Sequence, residues 1–265
     1  MFPLQTKTFP STASELTTLM NQSLGRIFST TAEPVRIESE AYPSLRSVHI
    51  ALDGAAIRPE ASRPAMPVGE AAPALHVQDL TIAGSRLSIG PAIVDLALSA
   101  RDVRFDQNRD AAQEIVLVLK SAAEGHVEIA AAKAELEQAI ATVATVEAAK
   151  QGVTIEDVSL SLQERGARSL SGEVRVKARK LFFSTVIRIA AELNLDQDLK
   201  ATISGLKCGG EGAIGSLACG ILSPHLQKLE GRSFSLLALP LGEIRLREVR
   251  LSASDKITVQ AEFGT

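Results

Sequence analysis

The chain has 265 residues, enough for one large domain or two ordinary ones, and its 45% hydrophobic and 22% charged content excludes global disorder. Aromatic residues make up only 3%, with no Trp and one Tyr, so the core must be built from Val, Ile, Leu and Ala. That scarcity argues against a base-stacking platform, and a formal net charge of −3 gives no electrostatic footprint for nucleic acid.

At the N-terminus, "MFPLQTKTFPSTASELTTLMNQ" lacks a basic region followed by an apolar run, so it is not read as a signal peptide. The expectation is a cytoplasmic protein by default, or a periplasmic or membrane-associated one if a leader has been removed. No stretch of about 18 consecutive apolar residues predicts a transmembrane helix. The first element is a helix over "STASELTTLMNQSLGRIF", where Thr12 and Glu15 have capping-box spacing and Leu16, Leu19, Met20, Leu24, Ile27 and Phe28 share a face. Short strands follow in "VRIES" and "RSVHIAL". The proline-rich stretch Pro59 to Pro73 reads as a mobile loop. Residues 1–74 are thus expected to form a helix, short strands and a loop packed on a main α+β domain of residues 75–265.

From Leu75 to Lys120 the pattern is mostly β. Val94, Leu96 and Leu98 alternate with Asp95, Ala97 and Ser99, and the apolar parity shifts at Val103 and Phe105 as a bulge would make it. "EIVLVLK" suits a strand buried on both faces. "AAAKAELEQAIATVATVEAAKQG" is an Ala-rich helix closed by Gly152, with Leu136, Ile140 and Val143 on one side.

The segment Gly172 to Leu195, "GEVRVKARKLFFSTVIRIAAELNL", carries apolar residues at even positions up to Ala178 and at odd positions from Leu181. A single bent strand would span about 70 Å. A tight turn near Lys180 is the alternative, disfavoured because Arg179, Lys180, Leu181 and Phe182 are poor turn residues. A third helix carries a stripe of Ile214, Leu217, Ala218, Ile221, Leu222, Leu226 and Leu229, with Pro224 marking a kink or a restart. Alternating strands close the chain, with Ile257, Val259, Ala261 and Phe263 facing one way.

Little of this pattern is catalytic. Gly210, Gly212 and Gly215 satisfy G-x-G-x-x-G, but no acidic residue follows at the spacing a dinucleotide site needs, so a glycine linker into the helix is the reading preferred. His49, His76, His126 and His225 form no metal-ligand spacing. Cys208 and Cys219 make no disulfide framework; Cys219 reads as a small buried hydrophobe, with a Cys208–Cys219 bridge as the alternative. No catalytic residue, metal or cofactor is expected, and the protein is not read as an enzyme. Arg175, Lys177 and Arg179 share one strand face, either as plain solvated surface or as a contact for anionic headgroups.

The order of helix ("VEIAAAKAELEQAI"), strands (Gly152 to Leu195), second helix and closing strands ("PHLQKLEGRSFSLLALPLGEIRLREVRLSASDKITVQAEFG") resembles the bacterial LmeA-like phospholipid-binding proteins. These are similar to the wider tubular lipid-binding (TULIP) superfamily, which includes the BPI-type proteins. The resemblance covers residues 75–264. It implies a long, highly curved antiparallel sheet wrapped around amphipathic helices, an elongated apolar cavity, and binding or transfer of a phospholipid or other lipid, with peripheral membrane contact. Candidate lining residues are Phe183, Ile187, Ile189, Leu193, Leu195, Leu217, Ile221 and Leu222. The alternative is a protein-interaction module of the same fold with a fully packed interior.

Overall fold

The computed structural model describes residues 2–60, 67–180, 182–196, 200–235 and 246–265, without the side chains of 213, 214, 221, 225, 234 and 235. Helix α1 (Ala13–Ile27) starts where the sequence places it: Thr12 Oγ1 accepts from the Glu15 N–H at 3.2 Å, and Glu15 reaches back to accept from the Ser11 N–H at 2.8 Å. Such a cap is worth about 1 kcal/mol. Leu16, Met20 and Leu24 form its buried stripe.

That stripe lies on a long, curved, mixed sheet that does not close into a barrel. Its main path runs β15 (Leu246–Ala253), β16 (Lys256–Phe263), β9 (Glu124–Ala132), β7 (Ala92–Arg109), β6 (Val68–Ile89), β4 (Ser44–Ala51), β3 (Val35–Ala41). β8 (Ile115–Ser121) continues beyond β9 along the same edge of β7, and β1 (Phe2–Pro3) pairs with β8. Short β2 (Phe28–Ser29) and β5 (Ala56–Ile57) pair with each other, and β5 also pairs with β6. Most pairs are antiparallel, but β4 and β5 run parallel to β6. Ile115, Val116 and Leu117 are buried in succession, as the apolar run predicts.

The 22 residues of β6 span about 70 Å, so the long strand exists, but in a different segment from the one expected. β6 also runs through the last six residues of the predicted Pro59–Pro73 loop, with Pro73 at a register shift and positions 74 and 75 inside one strand; positions 61–66 of that loop lie outside the described residues. Opposite it, β7 changes inward parity between Ala100 and Val103. Asp102 makes the change with φ of 48° where β7 passes from pairing β9 to pairing β8.

The second sheet is an antiparallel meander of β10 (Thr154–Gly166), β11 (Ser169–Lys180), β12 (Phe183–Leu195), β13 (Lys200–Gly210) and β14 (Ser233–Ser235). Here Gly172–Leu195 is corrected: it is a hairpin, with Lys180 paired to Phe183 across a two-residue loop. Helix α2 (Lys133–Ala149) runs along edge strand β10, where Glu137 accepts from the Leu160 N–H at 2.7 Å. Helix α3 (Gly212–Gln227) packs on β12 and β13 and keeps Pro224 inside its last turn, so it neither restarts nor breaks there.

The two sheets meet through Leu170, Leu195 and Ala201 on one side and Val249, Leu251 and Ala261 on the other. Main-chain ties support this seam: the Leu251 N–H donates to the Ala167 carbonyl at 2.8 Å, and the Ala253 N–H to Glu164 at 2.6 Å.

Candidate apolar ligand site

Between α1 and the first sheet lies an apolar cavity of about 180 Å³. α1 contributes Leu16 and Met20, β4 contributes Leu45, Val48 and Ile50, and β6 contributes Leu75, Val77, Leu80 and Ile82. Leu98 and Phe105 of β7, Leu117 and Leu119 of β8, Phe2 and Phe263 complete the lining. Every one of these side chains is apolar, so the space offers no acid, base or hydrogen-bond donor to a reacting group. An engineered cavity of about 150 Å³ lined by Leu, Ile and Phe stays dry and takes up benzene. This volume is therefore suited to a small apolar molecule or the end of an acyl chain, below the roughly 300–1,000 Å³ of sites that enclose a whole drug-sized ligand.

Phe263 closes one side because Gly125 lies beneath its ring: a Cβ at position 125 would sit inside the ring of Phe263. The strands that build the cavity are recognisable by alternation, but its lining alternates across β4, β6, β7 and β8, which no short stretch of sequence brings together.

The predicted lining residues occupy other places. Ile187, Ile189, Leu193 and Leu195 do share one face of β12, beside Val176, Val174 and Leu170 of β11. Ile187 and Ile189 are half-buried on that face, while Leu195 is packed into the seam between the sheets. Phe183 is exposed at the hairpin tip, and Leu217 is 68% exposed on the outer side of α3, so the apolar stripe read across that helix is wider than the face it buries. Leu222 is half-buried; the side chain of Ile221 lies outside the described residues. None of the described ones lines the cavity under α1.

Arg175, Lys177 and Arg179 stand together on the opposite, polar face of β11. Arg175 pairs with Glu173 at 2.6 Å, and Lys177 and Arg179 share Glu156 at 3.2 and 3.3 Å. Cys208 and Cys219 form a disulfide, the alternative to reading Cys219 as a small buried hydrophobe; it fastens β13 to α3.

The glycine motif has a packing explanation. Gly212 adopts φ of 67°, and a Cβ on Gly215 would meet the Thr185 hydroxyl at 2.6 Å and the Gly210 carbonyl carbon at 2.6 Å. These glycines let α3 begin directly on top of β12 and β13, in an antiparallel setting without the parallel crossover of a dinucleotide fold. Among the described residues, no three His, Cys, Asp or Glu side chains gather as a metal site, and no helix is long and apolar enough to cross a membrane. No family model, curated protein or solved structure matches the chain.

Proposed function

We propose that the protein is a non-enzymatic binder of apolar ligands, with a lipid acyl chain as the ligand class. The observation that carries this reading is the cavity under α1, lined wholly by aliphatic and aromatic side chains. Each methylene moved from water into such a space contributes about 0.8 kcal/mol, so affinity grows with chain length and depends little on headgroup chemistry. The half-buried row Ile187, Ile189 and Leu193 offers a second apolar surface on β12. The resemblance of the sequence to the LmeA-like and TULIP proteins points to the same ligand class.

The test is organic extraction and native mass spectrometry of the purified protein, followed by titration with a fatty acid in solution. A stoichiometric ligand is expected in one or both. Val77→Phe places a larger side chain in the cavity from a fully buried position and should weaken fatty-acid binding about tenfold or more, the equivalent of two or more excluded methylenes. Unchanged binding by the folded variant would remove the cavity from the reading. A clean apo mass with no uptake would favour the packed interaction module instead.

A further inference from the structure

The strongest remaining feature is the end of the second sheet where β11 turns into β12. Phe182 is 96% exposed and Phe183 62% exposed, in a chain with only eight Phe. They are not isolated. α2 ends at Ala149 and the chain enters β10 at Thr154, opposite Arg179, so the second half of α2 lies at this same end, carrying exposed Val143 and Val146. Four of the ten exposed large apolar side chains among the described residues therefore gather at one end of one sheet.

The charges around them are as telling. Lys180 is on the apolar face of the hairpin and Arg179 on the polar face, so cations flank the aromatic pair on both sides. The last two rungs of the ladder, Arg179 with Ser184 and Lys180 with Phe183, hold no carboxylate. The nearest acids on β10 are Asp157, opposite Lys177 two rungs behind Arg179, and Glu156 in the bulge beside it, and Glu156 is shared between Lys177 and Arg179. A protein partner normally needs a face of about 800 Å². A narrow hairpin tip with projecting aromatic side chains and a basic collar is shaped instead to enter a fluid interface bearing negative charge.

The geometry points to an anionic lipid bilayer as the occupant of this end: Phe182 and Phe183 enter the boundary between headgroups and acyl chains, and Arg179 and Lys180 meet the phosphates. This docking is independent of whether the cavity under α1 holds a ligand.

Because the chain has no Trp, Phe182→Trp creates a single indole at a position whose side chain packs on almost nothing. The full-length variant is titrated with vesicles of equimolar phosphatidylglycerol and phosphatidylcholine, and with phosphatidylcholine alone. A blue-shifted emission is expected with the anionic vesicles and a much smaller change with the neutral ones. In the same background, Phe183→Ser should lower partitioning about tenfold or more, and Lys180→Gln about fivefold. Emission that stays at the fully exposed position with both vesicles, in a chain of unchanged circular dichroism, overturns the proposal and leaves the tip to a protein partner. Equal partitioning of the Phe183→Ser variant, or equal binding to neutral vesicles, overturns it as well. Val77→Phe should bind the vesicles normally, so a failure of cavity binding and a failure of docking are read separately.

Discussion

Two aspartates hold a local irregularity of the first sheet. At the register shift between Gly84 and Leu87, Arg86 adopts φ of 54°. The Ser85 N–H donates to Asp53 at 2.8 Å and the Arg86 N–H to Asp95 at 2.9 Å. Both carboxyls titrate below the ordinary aspartate range. For Asp53 the Ser85 backbone bond is the main cause, helped by the Ser85 hydroxyl; for Asp95 it is the Arg86 backbone bond, with Lys256 adding to it. A depressed folded pKa means that the stability these groups contribute is present above the ordinary range near pH 4 and is lost as pH falls through the depressed values. Asp95→Asn keeps an acceptor for the Arg86 N–H but no longer titrates. It should be slightly less stable at neutral pH and lose less of its melting temperature on acidification than the wild type. Equal acid-side slopes in thermal melts of the two proteins would show that Asp95 is not a significant contributor. None of this was visible in the sequence, because Asp53, Ser85 and Asp95 belong to three segments joined only by the fold.

At the level of elements, alternation located nearly every strand but could not decide what lay between two of them. A two-residue loop pairs each even-numbered residue of β11 with an odd-numbered residue of β12, so the apolar parity flips across the turn just as it would across a bulge. Length favoured a turn and residue type argued against one, and length was the better guide. The parity shift at Val103 is present, but its cause is a left-handed residue, Asp102, rather than the bulge expected, since the register with β6 runs unbroken from Ala100 to Val103. The cysteines show the same limit, since their separation of 11 residues is compatible with a bridge but pairing depends on α3 folding back over β13. Closing a loop of that size stabilises by about 3 kcal/mol in the chain-entropy account. Reduction, or Cys208→Ser with Cys219→Ser, should lower stability by roughly that amount. The accompanying rise in amide hydrogen exchange should fall mainly in α3 and β13. Exchange that stays unchanged in α3 would mean that its packing on the glycines is sufficient to hold it.

For the molecule as a whole, the ligand site was the least legible part, because it is assembled from β1, α1 and strands as distant in sequence as β4 and β16. Phe263 belongs both to the core and to the cavity wall, and it is nearly fully buried. Phe263→Ala should destabilise by about 3–5 kcal/mol in chemical denaturation while enlarging the space under α1. A folded variant that accepts bulkier apolar probes than the wild type is the expected companion result; a loss of stability without any change in probe size would place Phe263 in the core alone.

The path of the chain through the two sheets has one more consequence. β9 acquires its partner β16 only after the whole of residues 133–245 has been made, so a strand near the middle of the first sheet waits with an open edge while the second sheet is synthesised. The second sheet is thus inserted within the first, and the chain is stitched closed by its last strands. A cut in the connection after α2 would leave two pieces that still share one sheet, because the later piece holds the strands that the earlier one lacks. Such pieces are suited to reassembly when they are made separately and mixed.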